Sequence, residues 1–145
     1  MSLKIFIAED STLVCQRLID MFSELEDTGA IELIGRAGDA QGAIEAIRRL
    51  KPDGAILDIC LAEGSGIQVL EAVKSNDPSP VVIMLTAFPY PQYRTRCLEA
   101  GADYFFDKLT EFDQVVEVVT ALCKTRVSRQ EISDKTKCIS ILGRD

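Results

Sequence analysis

The 145-residue sequence contains no histidine. Histidine is the commonest general base in enzymes and a frequent ligand of zinc and other transition metals. Its absence excludes serine–histidine triads and zinc sites that are built from imidazole. Any chemistry in this chain therefore depends on carboxylates, hydroxyls, amines or thiols.

The sequence also lacks paired cysteines and long apolar runs. The five cysteines are odd in number, widely spaced and without a Cys-x-x-Cys pair, as expected of reduced thiols rather than of a disulfide framework. No apolar run approaches the length of about eighteen residues that a membrane helix needs. Lys4, Glu9 and Asp10 interrupt the segment where a signal peptide would require an apolar core. We therefore expect a cytoplasmic protein without membrane insertion.

Basic residues are outnumbered by acidic ones. Lys and Arg number 16 against 23 Asp and Glu, so the formal net charge is -7. We expect no direct binding to nucleic acid, because such proteins usually present a strongly basic surface. Apolar residues make up 47% of the chain and charged residues 27%. This composition is typical of one soluble globular domain with a substantial core.

Short and long apolar segments alternate along the chain. Short runs rich in β-branched and aromatic residues predict five strands, at 3–8, 31–37, 55–57, 81–85 and 104–106. Apolar residues at helical spacing predict five helices, at 13–25, 40–50, 67–73, 94–100 and 112–122. This alternation predicts an α/β fold with helices on both faces of a parallel sheet. We favour a flavodoxin-like doubly wound sheet of strand order 2-1-3-4-5 over a half-Rossmann unit.

Polar side chains follow four of the five predicted strands. Glu9 and Asp10 follow the first strand, Asp58 follows the third, Thr86 the fourth and Lys108 the fifth. These residues should share one edge of the sheet, because ligand sites in such folds lie outside the carboxyl ends of the strands. Three carboxylates in one place repel one another unless a cation lies among them. Their oxygen atoms favour a hard divalent cation, Mg²⁺ or Mn²⁺.

These residues, in this order, resemble those of the receiver domains of bacterial two-component response regulators. The resemblance covers residues 3 to about 125. It is carried by the acidic pair Glu9-Asp10, the segment LDICLAEGSG around Asp58, the pair Thr86-Ala87 and Lys108. Each motif alone has little specificity, but the combination at the ends of strands one, three, four and five is specific.

The resemblance implies that Asp58 is a phosphoacceptor that receives a phosphoryl group from a phosphohistidine. The donor would be a partner histidine kinase or phosphotransfer protein. Mg²⁺ would be bound by Asp10, Asp58 and the main-chain carbonyl of Cys60, with Glu9 acting partly through water. The protein would catalyse only its own phosphorylation and dephosphorylation, and would act in a phosphorelay by changing its affinity for a downstream protein.

The resemblance also implies a switch. Lys108 and the metal would neutralise the phosphoryl charge, and the Thr86 hydroxyl would turn towards the phosphoryl group. Phe105, at a position where the family often has Tyr, would move with Thr86 and alter the face formed by the fourth predicted helix, the fifth strand and the fifth helix. A homodimer through this face is left open. Leu109 and Ala62 stand where the family commonly has Pro, which leaves the conformation of the Lys108–Leu109 peptide open.

Several alternatives exist for these residues. Taken singly, Asp58 fits a turn, Asp10 and Ser11 fit a helix cap, and Lys108 fits an exposed surface position. A receiver-like adaptor that binds partners without phosphorylation is the main alternative, although such proteins typically lose one of the site residues. A flavin-binding module would require a loop free of the acidic pair. An aspartyl-phosphate hydrolase would carry an acid where Cys60 stands.

The last twenty residues differ in composition from the rest. Residues 126–145 carry a net charge of +2, whereas residues 1–125 carry -9. We interpret 1–125 as the receiver domain and 126–145 as the frayed end of the last helix followed by a linker or tail. The segment 138–142, CISIL, fits a short strand or a docking peptide. The tail is too short to hold a DNA-binding output domain.

Overall fold

A computed structural model describes residues 2–75 and 78–135, with side chains described as far as residue 125. Its elements, in chain order, are β1 (Leu3–Ala8), α1 (Thr12–Met21), α2 (Ser23–Asp27), β2 (Ile31–Ala37), α3 (Ala40–Leu50), β3 (Gly54–Leu57), α4 (Gly66–Lys74), β4 (Val81–Thr86), α5 (Pro91–Glu99), β5 (Tyr104–Asp107) and α6 (Phe112–Lys135). Among the described residues, no helix is both long enough and apolar enough to cross a membrane.

The five strands form one parallel sheet of order β2-β1-β3-β4-β5. The predicted fold is therefore confirmed. The central strand β3 is buried along its whole length, as expected when helices cover both faces of a parallel sheet. Strands β1 and β3 are in register at their carboxyl ends, where Ala8 pairs with Leu57. Leu57 in turn pairs with Met84, two residues before the end of β4. The residues that follow β1 and β3 therefore emerge beside the last residues of β4.

Alternate residues of each strand face two separate apolar cores. On one face, Phe6, Ala8 and Leu57 pack beneath α3, α4 and α5. On the other, Ile5 and Ile7 pack with residues of α1 and α6. Burial at about 25 cal/mol per Å² of apolar surface makes these two cores the main stabilising contribution. Together they hold the strand ends in place.

Three helices differ from the predicted bounds by more than one residue. Helix α5 begins at Pro91 rather than at 94, because the fixed φ of proline suits the first position of a helix. The first predicted helix is divided at Phe22, where the backbone leaves helical geometry (φ -91°, ψ 0°), so the described chain has six helices rather than five. The Phe22 ring is completely buried, and the turn at this residue directs the ring into the core. The last helix continues to Lys135, beyond the predicted domain boundary at 125. The segment 138–142 lies outside the described residues.

Candidate functional site

The four strand ends bring the predicted polar residues to one edge of the sheet. The Glu9 N–H donates to Ala37 O (2.9 Å), and the Asp58 N–H donates to Ala8 O (3.0 Å). On the neighbouring strands, the Lys108 N–H donates to Thr86 O (2.8 Å). These main-chain bonds continue the sheet by one residue past its strands. The positions of Glu9, Asp58, Thr86 and Lys108 are therefore fixed by the sheet itself.

Lys108 connects the two buried carboxylates. Its Nζ lies 2.8 Å from Glu9 Oε1 and 2.8 Å from Asp58 Oδ2. The side chains of Glu9 and Asp58 are only 4% and 7% exposed, and that of Lys108 is 13% exposed. Residues that are 99 and 50 positions apart in sequence thus form a charge network that is largely shielded from water. Breaking such a network leaves an uncompensated buried charge, which is strongly destabilising.

Glu9, Asp10 and Asp58 form an acidic cluster. One carboxylate oxygen from each lies within 4.8 Å of the others, with Asp10 exposed and the other two buried. Three carboxylates and one ammonium group leave two formal negative charges in the cluster. The donor set consists of oxygen atoms, which Mg²⁺ prefers. The residues present therefore fit a hard divalent cation in both charge and ligand type.

Burial and hydrogen bonding shift the proton affinities of this network in a consistent way. Burial raises the pKa of Glu9, although hydrogen bonds from Lys108 and the Ser11 N–H partly offset this effect. Burial lowers the pKa of Lys108, but hydrogen bonds to Asp58 and Glu9 outweigh it, so the net pKa is raised. Lys108 thus remains a cation at neutral pH. Burial and the nearby Asp58 raise the pKa of the exposed Cys60, which keeps its thiol protonated.

A glycine closes the loop that follows Asp58. A Cβ at Gly66 would lie 2.0 Å from the main-chain oxygen of Asp58, so no larger residue fits without a backbone shift. The Gly66 N–H donates to Ile59 O (2.9 Å), and the Ser65 side chain caps α4. Within the loop, the Cys60 N–H donates to Asp58 Oδ1 (3.3 Å). The loop therefore holds the second oxygen of the Asp58 carboxylate.

The two predicted switch residues, Thr86 and Phe105, are both buried. Thr86 is fully buried, and its Oγ1 accepts a hydrogen bond from the Phe88 N–H (3.0 Å). Phe105 is buried in the core beneath α3, α4 and α5. The Arg94 guanidinium lies over the Phe105 ring, 5.2 Å from its centroid. Thr86 adjoins the acidic cluster through the sheet, whereas Phe105 is not among its hydrogen-bonded residues.

Ala62 and Leu109 stand at the two positions where the resemblance would place Pro, and the main-chain N–H of each donates a hydrogen bond. The Ala62 N–H donates to Gly38 O (2.9 Å), and the Leu109 N–H donates to Asp107 Oδ1 (2.8 Å). Proline has no N–H and would lose either bond. Leu109 itself is 80% exposed. The loop after β5 is therefore shaped by the Asp107 side chain.

The structure adds one residue that the sequence interpretation missed. Arg36 lies on β2, and its Nε donates to Glu9 O (3.2 Å) while its Nη2 donates to Asp10 O (3.4 Å). No functional side chain was assigned to the end of the second strand, although the other four strand ends each supply one. The lack of an assigned side chain at this strand end was the sequence signal that could have pointed to Arg36.

Comparison with known proteins agrees with this site. Residues 5–120 match the model of the response regulator receiver domain family. An uncharacterized transcriptional regulatory protein, YvfU of Bacillus subtilis, is 32% identical over 122 residues, which cover 84% of this chain and 60% of YvfU. The response regulator protein VraR of Staphylococcus saprophyticus is 28% identical, covering 82% of this chain and 56% of VraR.

The fold has close counterparts among solved structures. The signal receiver domain of NarL from Mycobacterium tuberculosis aligns with a TM-score of 0.74 at 26% identity, covering 85% of this chain and 97% of that domain. With the family model matching most of its length, the chain belongs to the response regulator receiver domains of two-component systems. It spans about 60% of the length of YvfU and 56% of that of VraR.

Proposed function

We propose that Asp58 accepts a phosphoryl group from a phosphohistidine on a histidine kinase or phosphotransfer protein. The observation that carries this proposal is the contact of Lys108 Nζ with both Asp58 and Glu9, beside an acidic cluster that retains two formal negative charges. Asp58 is the member of the cluster that both Lys108 and the loop N–H of Cys60 hold in place. A carboxylate fixed at both oxygens is well positioned for in-line attack.

Mg²⁺ would be held by Asp10, Asp58 and the main-chain carbonyl of Cys60, with Glu9 acting partly through water. When bound, the cation would neutralise charge on the phosphoryl oxygens. Mn²⁺ has similar ligand preferences and would substitute. The chain's own contribution is to keep three carboxylates close together in the folded state, at a cost that Lys108 partly offsets.

In the transfer, one Asp58 oxygen forms a bond to phosphorus as the P–N bond of the partner's phosphoimidazole breaks. The bonding pair passes to the departing imidazole. Lys108 would exchange its contact with Asp58 for one with a phosphoryl oxygen while keeping its contact with Glu9. Because these 145 residues contain no histidine, the phosphohistidine would lie outside them. The chain would act on no substrate other than itself, catalysing its own phosphorylation and dephosphorylation.

Phosphorylation would then be relayed through Thr86. Its hydroxyl now accepts from the Phe88 N–H, and donation to a phosphoryl oxygen would turn it away from that contact. Phe88 begins a chain of aromatic contacts, with ring centroids 6.3 Å apart for Phe88–Tyr90 and 5.8 Å apart for Tyr90–Tyr93. Turning Thr86 would therefore move the loop before α5, and Phe105 would follow. The face of α5, β5 and α6 would change its affinity for a downstream protein.

Treatment of the protein with Mg²⁺ and acetyl phosphate, followed by mass spectrometry, tests the acceptor role. We expect an acid-labile phosphoryl adduct on the wild type and none on Asp58→Asn. Beryllofluoride in place of acetyl phosphate should change the near-ultraviolet signal of Tyr90 and Tyr93. A folded wild type that gains neither adduct would instead support the adaptor alternative, in which partners bind without phosphorylation.

The Thr86→Ala variant separates the acceptor step from the relay. The variant should form the same adduct at Asp58. In the wild type, the Thr86 hydroxyl contacts neither Asp58 nor Lys108 among the described residues. The beryllofluoride response of the tyrosines should be lost or much reduced. A full tyrosine response in Thr86→Ala would contradict the proposed relay.

A further inference from the structure

Arg36 stands near the end of β2, the one strand end for which no functional side chain was predicted. On β2, Arg36 pairs in register with Ile7, and Ala37 accepts the last ladder hydrogen bond from the Glu9 N–H (2.9 Å). Beyond this point the chain leaves the sheet to enter α3. The carbonyls of Glu9 and Asp10 therefore project past the end of the ladder. The Arg36 guanidinium supplies the donors that the sheet no longer provides.

The three acidic residues of the cluster are held to different degrees. Both oxygens of the Glu9 carboxylate are engaged, Oε1 by Lys108 and Oε2 by the Ser11 N–H at 3.0 Å. Both oxygens of Asp58 are likewise engaged, by Lys108 and by the Cys60 N–H. Within the described part of the chain, no donor contacts the Asp10 carboxylate. The position of this carboxylate therefore depends on the Asp10 backbone and on the rotamer of its own side chain.

The two hydrogen bonds of Arg36 restrain the backbone of Glu9 and Asp10. The Glu9 carbonyl also accepts a long bond from Cys15 Sγ (3.6 Å), whereas the Asp10 carbonyl accepts only from Arg36 among the described residues. No carboxylate within that range lies at ion-pair distance from the Arg36 guanidinium. A guanidinium is a rigid, planar fork of donors, so its two bonds restrain two consecutive peptide groups together.

We infer that Arg36 is a positioning residue that orients Asp10 towards the cation by holding the carbonyls of Glu9 and Asp10. This inference rests on the proposed Mg²⁺ site. Outer contacts that orient metal ligands typically account for a 10- to 100-fold effect on metal affinity. The charge of Arg36 acts in the opposite direction, because a fixed cation beside a cation site weakens binding. Loss of the orienting contacts predicts weaker Mg²⁺ binding, and loss of the charge predicts tighter binding. A measurement of the affinity therefore distinguishes the two effects.

Isothermal titration of the metal-free protein with Mg²⁺ tests this inference. We expect Arg36→Met to bind Mg²⁺ about tenfold more weakly than the wild type. Arg36→Lys, which keeps the unfavourable charge but loses the fork, should bind Mg²⁺ at least as weakly as Arg36→Met. Equal or tighter binding by Arg36→Met would overturn the inference, since removal of the charge alone predicts tighter binding. Raising the salt concentration screens the charge effect and should leave the loss in Arg36→Met in place.

Arg17→Met is the matched control. Arg17 lies on α1 with its guanidinium 4.0 Å from the centroid of the Phe112 ring, away from the acidic pair. Its replacement should reduce thermal stability but leave the affinity for Mg²⁺ unchanged. If Arg17→Met and Arg36→Met lower stability and Mg²⁺ affinity in parallel, then Arg36 is merely structural and the inference is wrong.

Amide hydrogen exchange in the absence of metal separates this inference from the proposed function. In Arg36→Met the amides of Asp10 and Ser11 should exchange faster than in the wild type, while those of β3 remain protected. Unchanged exchange at Asp10 and Ser11 would overturn the positioning role, whatever the metal affinity. A wild type that fails to bind Mg²⁺ yet shows this change in Arg36→Met would refute the proposed metal site, while leaving in place the restraint of the Glu9 and Asp10 carbonyls by Arg36.

Discussion

At the scale of single residues, Lys108 determines how Glu9 and Asp58 can be buried together. Two carboxylates in a low-dielectric site would raise each other's proton affinity, and one would be neutral at physiological pH. The ammonium group, 2.8 Å from each carboxylate, offsets part of this repulsion. The raised pKa of Lys108 keeps the ammonium protonated at neutral pH. The site can thus hold its charge before any cation arrives.

The raised pKa of Glu9 predicts a pH dependence of stability in the metal-free protein. The folded chain holds the Glu9 proton more tightly than the unfolded chain, whose pKa is near the ordinary value of 4.5. The Glu9 contribution to the free energy of unfolding therefore increases as pH falls through its folded pKa, and is complete below about 4.5. In EDTA, the stability of wild type relative to Glu9→Gln should rise as pH is lowered from neutral.

Denaturant titrations at a series of pH values measure this difference. Glu24→Gln, at an exposed position in α2, controls for the loss of one carboxylate. The stability difference between wild type and Glu24→Gln should not show the increase with falling pH that is expected for Glu9→Gln. A stability difference between wild type and Glu9→Gln that is constant between neutral pH and pH 4.5 would show that burial does not raise the Glu9 pKa.

The sequence was sufficient to predict most residues of this cluster, but not all. Glu9, Asp58 and Lys108 were predictable because each directly follows an apolar strand, and parallel strands end at the same edge. Arg36 was not, because the unassigned end of the second strand was the one signal, and its partners are main-chain carbonyls that no residue type identifies. The pairing of Lys108 with both carboxylates also required coordinates, since spacing along the chain does not define side-chain contacts.

At the scale of elements, the packing of α4 against the end of β3 sets the position of Asp58. The helix begins at Gly66, and the absence of a Cβ there allows the main chain to approach the Asp58 carbonyl. The capping box formed by Ser65 and Gln68 fixes the first turn of the same helix. The position of Asp58 thus depends on a close main-chain contact as well as on the sheet.

Gly66→Ala should therefore impair both stability and the site. Its Cβ would lie 2.0 Å from Asp58 O, so α4 or the Asp58 peptide must move. We expect a loss of about 1–3 kcal/mol in the free energy of unfolding, as is usual for overpacking, together with slower phosphorylation by acetyl phosphate. Chemical denaturation and a phosphorylation time course measure the two effects.

Gly38→Ala is the matched control for this substitution. Gly38 also adjoins an acidic residue of the cluster, but its Cβ would lie 3.4 Å from Asp10 Cα, an ordinary van der Waals distance. It should be much closer to wild type in both measurements. If Gly66→Ala were as stable and as rapidly phosphorylated as Gly38→Ala, the close approach at Asp58 would not matter for the site.

Helix boundaries were less predictable than strand order. The alternation of apolar runs defined all five strands, because buried parallel strands need nearly continuous apolar sequence. The apolar spacing of the first predicted helix continues through Phe22, and nothing in that spacing indicates that the backbone turns there. The division between α1 and α2 depends on where the Phe22 ring is buried, which is a property of the tertiary packing.

At the scale of the whole molecule, the proposed phosphorylation site and the proposed binding face lie on one continuous sheet. Strand β4 carries Thr86 to the acidic cluster and borders β5, so a shift at its end reaches the α5–β5–α6 face through the sheet. The chain spans about 60% of the length of YvfU, whereas its receiver motifs lie within the matched residues 5–120. We therefore propose that 1–125 is a functional receiver on its own and that 126–145 is separate from it.

Truncation after residue 125 tests this division. Among the residues whose side chains are described, the last to pack against a core is Cys123, and Val119 is fully buried. The chain 1–125 should therefore keep the melting temperature of the full chain and form the Asp58 adduct at the same rate. Truncation after residue 118 removes Val119 and should reduce stability by about 1.5–3 kcal/mol or more. A fragment 1–125 that melts well below the full chain would mean that the α6 segment 126–135 belongs to the domain.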